Sequence, residues 1–213
     1  PCRQEWVLNS TENKQLLLSQ PESNDIEKSR LLSPKDMCMI EHVPKLIEAG
    51  IDAFKIEGRA RAPDYVSTVT KCYSDAIKLY EDGLWDESSK SLIPMWKNEL
   101  KSVFNRGFDT GFYFRTPKET SLDNQATYKK VDIGQVTNYY KKINVAEIKL
   151  WDTLEVGDTI IIQGNKTGSV SEKVLSMQID GKNVETVTND SVGIKLENIV
   201  RENDHVYKKV LLN

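Results

Sequence analysis

Leu31–Arg59 reads LLSPKDMCMIEHVPKLIEAGIDAFKIEGR, and it decides the fold because it spells a helix followed by a strand. Ser33 suits an N-cap, Pro34 the first helical position, and Asp36 completes a capping-box-like S-x-x-D. Met37, Ile40, Val43, Leu46 and Ile47 recur at helical spacing and give one apolar face. Pro44 interrupts that face, which predicts two short helical pieces or a kink near Glu41. Gly50 ends the helix in a left-handed cap, and Ile51–Ile56 follows as a short, largely apolar strand.

Charge gathers at the far end of that strand. Lys55, Glu57 and Arg59 follow one another at alternate positions, and Gly58 lets the chain turn sharply. Parallel α/β folds present their sites at the carboxyl ends of strands. Spacing alone reads first as a structural ion pair at a sheet rim, with a site as the alternative.

Upstream, Glu5–Leu8 and Gln15–Leu18 are short strand-like runs that predict a hairpin, followed by a polar loop over Gln20–Ser29. Downstream, Ala62-Pro63-Asp64 opens a long helix to about Asp82, buried along Val66, Val69, Tyr73, Ile77 and Tyr80 and closed by Gly83. A further helix is predicted over Ser91–Asn105, with Pro94 in its first turn. Arg106–Phe114, RGFDTGFYF, alternates glycine with aromatics. It reads first as a tight, closely packed loop and second as a stacking surface for a base.

Thr116–Lys130 is polar and aperiodic and reads as a linker. From Val131 the chain reads as all-β. Strands are predicted at Val131–Thr137, Ala146–Leu150, Thr159–Gln163, Glu172–Gln178, Asn183–Val187, Ser191–Leu196 and Val206–Val210. Turn residues such as Asp180-Gly181 separate them, and this spacing implies a small barrel or sandwich.

Composition bounds the function. The 213 residues are 38% apolar and 29% charged with net charge −3, an ordinary globular balance that argues against nucleic-acid binding by global charge. No run approaches the ~18 apolar residues of a membrane helix, so no membrane partner is expected. The chain starts at Pro1 without an initiating Met, which reads as a fragment boundary or a processed end. Three widely spaced cysteines, Cys2, Cys38 and Cys72, suit a reducing, cytoplasmic compartment rather than a disulfide framework. Cys72 reads as a buried helix residue. His42 follows Cys38 by four residues, so the two could share a helix face as a ligand or nucleophile–base pair, although an exposed helical histidine is commoner.

SPKDMCMIEHVPKLIEAGIDAFKIEGR, with Pro1-Cys2-Arg3 before it and RGFDTGFYF after it, resembles the collagenase-like peptidase U thirty-two family in order and spacing. The resemblance implies that residues 1–115 are the C-terminal portion of a TIM-like barrel whose first half lies upstream. It further implies that Cys2 and Cys38 match two of the four cysteine ligands of a 4Fe–4S cluster in some members. Two ligands cannot hold such a cluster, so none is expected in this chain alone. A second resemblance covers LEVGDTIIIQG, EKVLSMQIDGKNVET and DSVGIKLENIVRENDHVYKK, which are similar to the second-domain β-barrel of translation GTPases. No nucleotide-binding loop accompanies them.

The expected architecture is therefore α/β plus all-β: barrel units over 1–115, a linker over 116–130 and a translation-factor-like β-barrel over 131–213. Two activities compete. The first is RNA modification, hydroxylation of a tRNA wobble uridine or of an rRNA base. Here Cys2 and Cys38 hold the cluster, Lys55, Glu57 and Arg59 engage a small anionic cosubstrate or phosphate, and Arg3 and Arg106 contact substrate. The second is proteolysis of collagen-like or other peptides, for which no HExxH, GxSxG or triad is present. A third reading is a non-catalytic RNA- or partner-binding module, since this chain alone is expected to be inactive. The lysine pairs at 129–130, 141–142 and 208–209 would serve RNA if folding brings them together, and otherwise read as solvated strand ends.

Overall fold

Asp36, expected inside a helix, instead pairs as part of a strand, and this rearranges the start of the chain. The computed structural model describes residues 8–9, 15–16, 33–117, 121 and 124–212. β1 (Leu8–Asn9) and β2 (Gln15–Leu16) form the short antiparallel hairpin expected there. β3 (Asp36–Met37) runs parallel to β4 (Phe108–Asp109), tying the two family-like motifs together. Ser33 is therefore no N-cap. The S-x-x-D pattern is used over long range because the Asp36 carboxylate takes the Arg106 guanidinium rather than local backbone N–H groups.

The helical part of the signature comes later and in two pieces, as Pro44 predicts. A 3-10 turn at Ile40–His42 leads into α1 (Val43–Glu48), with Pro44 in its first turn, where a missing N–H costs nothing. Gly50 at φ +80° closes α1. The Gly50 and Ile51 amides return to the carbonyls of Ile47 and Leu46, a Schellman arrangement. The expected strand at Ile51–Ile56 does not form. Residues 51–58 are irregular, because a strand needs a ladder partner and none faces this run among the described residues.

α2 (Pro63–Glu81) begins and ends where Pro63 and Gly83 predict. α3 (Trp85–Ser102) starts earlier than expected, and Pro94 lies inside it. Asp86 and Glu87 supply the favourable first-turn charge that a start at Ser91 would lack. Ile40, Val43, Val69, Cys72, Ala76, Trp96 and Leu100 form the core of this part. Val66, expected on the buried stripe, is 40% exposed.

The second core is built from strands and the connections between them. The strands are β5 (Tyr128–Tyr140), β6 (Val145–Leu150), β7 (Thr153–Glu155), β8 (Thr159–Gly164), β9 (Gly168–Lys173), β10 (Met177–Ile179), β11 (Lys182–Val184), β12 (Thr186–Thr188), β13 (Ser191–Lys195) and β14 (His205–Leu211). Eight of them make one antiparallel sheet in the order β11-β10-β13-β6-β5-β14-β8-β9, and β12 and β7 form a separate ribbon. Ile133, Ile148, Leu154, Ile160, Ile162 and Ile194 are fully buried inside. The expected closed barrel does not form, since among the described residues β9 and β11 are sheet edges that do not pair with each other. The predicted run Glu172–Gln178 also divides, because Val174 leaves the ladder to exchange backbone hydrogen bonds with Gly157 and Asp158. Asp180 and Gly181, both at positive φ, make the two-residue turn between β10 and β11.

Between the cores, buried Ser121 donates its amide to Ser33 O, Thr127 donates to Lys101 O, and β5 starts at Tyr128. The sheet also touches α2 directly. Ser67 Oγ donates to Ser169 O at 3.1 Å, and Lys130 Nζ lies 2.6 Å from Asp64 Oδ1. No described helix is long and apolar enough to cross a membrane.

Candidate functional site

The β3–β4 pair places a charged hub where the two motifs meet. Arg106 donates its backbone N–H to Asp36 Oδ2 at 2.9 Å and its Nε and Nη2 to Oδ1 at 3.0 and 2.6 Å. Its Nη1 reaches Ser33 Oγ at 3.4 Å, and Ser121 Oγ donates to the same oxygen at 2.7 Å. Arg61 approaches from the other side, with Nη2 3.6 Å from Asp36 Oδ1. Its guanidinium stacks 3.9 Å over Phe104 and 5.4 Å from Tyr65. Two half-buried guanidinium groups thus share one carboxylate. Burial, aided by Asp36, raises the Tyr65 hydroxyl above its ordinary range. Asp36 and Arg61 were not read as site residues from sequence. The signal for Arg61 was its place two residues after Arg59, still in the charged run.

Cys38 lies one residue beyond β3. Its amide donates to Asp109 O at 2.9 Å, and the Tyr73 hydroxyl donates to its sulfur at 3.9 Å. Tyr73 in turn accepts the Met39 amide at 2.8 Å. Cys38, Tyr73, Tyr65, Phe104 and Phe108 border a cavity of about 40 Å³. Burial pushes the Cys38 thiol up, and pushes Cys72 to about 11. Burial, with a contribution from Cys38, also raises Tyr73 above the usual phenol range. Cys38 and His42 do not share a helix face, because Cys38 precedes the 3-10 turn.

The predicted site residues are only partly gathered. Lys55, Glu57 and Arg59 stay close together on the exposed, irregular 51–58 stretch and the turn that follows. There Glu57 Oε1 accepts the Arg59 amide at 2.7 Å, which shapes the turn. Gly58 packs closely there, since a Cβ would meet Val66 Cγ2 at 2.9 Å and push that side chain aside. Arg106 is committed to Asp36 rather than presented to solvent. Cys2 and Arg3 lie outside the described residues.

Beside the hub, RGFDTGFYF presents aromatic rings where packing was the first expectation. Phe108 packs on the helical core. Phe112, Tyr113 and Phe114 are 81%, 58% and 52% exposed. The His42 ring lies 4.5 Å from Phe114, and Lys45 Nζ sits 5.2 Å over the same ring. Gly107 and Gly111, both at positive φ, give the loop this shape.

An iron–sulfur cluster needs several thiolates. Among the described residues Cys38 is the one half-exposed thiol, Cys72 points its sulfur into the core toward Trp96 O, and no three His, Cys, Asp or Glu side chains gather as ligands. The described residues do not form a cluster site by themselves.

Residues 1–123 match the family described as Peptidase family U32, which is more than half of the chain. The chain belongs to this family. It is 45% identical to an uncharacterized protease of Methanocaldococcus jannaschii, over 97% of this chain and 50% of that protein. It is 38% identical to a collagenase of Porphyromonas gingivalis, over 86% of this chain and 45% of that protein. It is also 33% identical to tRNA hydroxylation protein P1 of Bacillus subtilis, over 61% of this chain and 31% of that protein. The chain thus spans half or less of the length of these relatives. The C-terminal domain of a Geobacillus thermoleovorans protein described as a U32 peptidase aligns at a TM-score of 0.35 and 14% identity, covering 36% of this chain and 96% of that one.

Proposed function

We propose that the protein carrying this chain is an RNA-modifying enzyme of the tRNA hydroxylation type. The observation that carries the reading is the exposed row Phe112–Tyr113–Phe114, with Lys45 over one ring and His42 against it. Unstacked RNA bases are held by stacking on aromatic side chains, and a neighbouring cation neutralises the phosphate. A relative named for tRNA hydroxylation matches 61% of this chain. On this reading Lys55, Glu57 and Arg59 form an exposed charged turn for an anionic cosubstrate, with Arg59 offering a fixed, forked cation. Cys38 and Cys2 would contribute two thiolates to a 4Fe–4S cluster, whose remaining ligands the described residues do not supply.

The second reading, peptidase action on a collagen-like or other peptide, is favoured by relatives named protease and collagenase that match 86–97% of the chain. Cys38 serves it poorly, since burial holds the sulfur as a thiol and its described partner is a phenol rather than a base. The test is nucleoside mass spectrometry of tRNA from cells lacking the protein, complemented with wild type or with a Phe112→Ala/Phe114→Ala variant. Loss of a hydroxylated uridine, restored only by wild type, is expected. An unchanged nucleoside profile in the deletion, with gelatin cleavage by the purified protein, would overturn the reading in favour of the peptidase.

A further inference from the structure

Apart from the aromatic row, three separate turns at one end of the sheet each deliver a cation to one concavity. Lys141 lies in the β5–β6 turn, Lys166 in the β8–β9 turn, and Arg201 in the connection from β13 to β14. They line a groove of about 1020 Å³ together with Gln163, Asn165 and Asn203. Among the described residues none of the three cations has a carboxylate partner within ion-pair distance, whereas Lys130, Lys208 and Arg106 each have one.

The rim is built rather than loose. Asp204 is 4% exposed. Its Oδ2 accepts the Thr167 hydroxyl at 2.5 Å and the Arg201 amide at 2.8 Å. Thr167 Oγ1 then accepts Arg201 Nη1 at 3.0 Å, so one buried carboxylate stitches two of the three turns together and aims the guanidinium. Gly164 makes this possible, because a Cβ there would fall 1.7 Å from Asp204 Oδ1. The Asp204 charge is spent internally, which leaves Glu202 as the anion on the rim.

We infer that this groove binds the phosphodiester backbone of single-stranded RNA. Backbone contacts are made by Lys and Arg supported by Asn, Gln, Ser and Thr, and these are the side chains present. A protein partner is the less suitable occupant, since such interfaces centre on exposed aromatic or apolar anchors. Here Tyr139 is half-buried against the core and Val200 is buried. The inference rests on the RNA reading above but concerns a separate surface, one that would hold flanking nucleotides and not the reacting base.

The test is fluorescence anisotropy of the full chain with a labelled, mixed-sequence single-stranded RNA of about 12 nucleotides. Wild type is compared with Lys141→Glu/Lys166→Glu/Arg201→Glu and with a charge-matched control, Lys90→Glu/Lys149→Glu/Lys195→Glu, each checked for folding by circular dichroism. Three phosphate contacts should contribute a log–log salt slope of about 2. The groove variant is expected to lose that slope and bind at least about tenfold more weakly, with the control near wild type. Equal weakening in both variants would overturn the groove while leaving RNA modification standing, because it would report net charge alone. Should the groove variant misfold, the milder Lys141→Gln/Lys166→Gln pair gives the same reading with a slope loss of about 1.4. Absence of RNA binding by wild type would also overturn the groove, and the nucleoside measurement then decides the enzyme reading separately.

Discussion

Arg106 closes on Asp36 across 70 residues of sequence with its backbone amide and its guanidinium together. The pair joins the SPKD motif to RGFDTGFYF, and the parallel β3–β4 ladder runs alongside it. Side-chain exposures of 21% and 18% leave it largely desolvated, so removing one partner strands a charge. Asp36→Ala should destabilise this part of the molecule by about 3 kcal/mol, with Arg61 also losing its carboxylate. A double-mutant cycle of Asp36→Asn with Arg106→Gln, followed by urea unfolding, should give a coupling above about 1 kcal/mol. Additive losses would mean that the pair is only a surface contact.

The exposed rings separate packing from function. Phe112→Ala and Phe114→Ala should each change stability by less than about 0.5 kcal/mol, because these rings cover little of the core. Phe108→Ala, which empties a place beside the helical core, should cost about 3 kcal/mol. Thermal unfolding of the three variants checks this. Comparable losses in all three would return the motif to a packing role and remove the observation on which the RNA reading stands.

Much of this arrangement was legible in the sequence, and the misreadings share a cause. α2 was readable because Pro63 and Gly83 act locally, through one missing N–H and one positive φ. Most strands of the sheet were readable from turn residues for the same reason. Ser33 and Asp36 were misread because a capping box and a long-range carboxylate–guanidinium pair use the same residue types. Ile51–Ile56 has a strand's composition, but composition cannot supply a neighbouring strand. β9, GSVSEK, was largely missed because it lacks an apolar alternation. Of the site, the charged turn at Lys55, Glu57 and Arg59 could be located, while the commitment of Arg106 to Asp36 lay beyond any local pattern.

Gly164 should tolerate no side chain. A Cβ there would overlap Asp204 Oδ1, and that carboxylate cannot swing away without releasing Thr167 and the Arg201 amide. Gly164→Ala should cost about 2–3 kcal/mol by overpacking and by loss of these bonds. Asp204→Ala alone loses only the bonds. Adding Gly164→Ala to Asp204→Ala should then cost less than about 1 kcal/mol more, since the obstructing oxygens are gone. Denaturant midpoints for the set of variants measure this. A full-sized Gly164→Ala penalty in the Asp204→Ala background would show that the obstruction lies elsewhere.

Alkaline stability should report Cys72. Its thiol is raised from 9.0 to about 11, chiefly because burial disfavours the thiolate, with Glu99 adding to the effect. A group with a raised folded pKa keeps its proton in the native state while the unfolded chain gives its proton up. Its contribution is therefore whole below pH 9 and is lost as pH climbs from 9 through 11. The loss over that window is on the order of 2–3 kcal/mol. Cys38, also raised by burial from 9.0, adds to the decline from pH 9 upward, and Tyr73, raised by burial too, acts in the same direction at the upper end. Cys72→Ala lowers stability at every pH by leaving a small cavity, yet it should flatten the decline between pH 9 and 10, before Tyr73 contributes fully. Urea unfolding at pH 8, 9 and 10 gives the slopes, and parallel curves for wild type and Cys72→Ala would assign the alkaline loss to other groups.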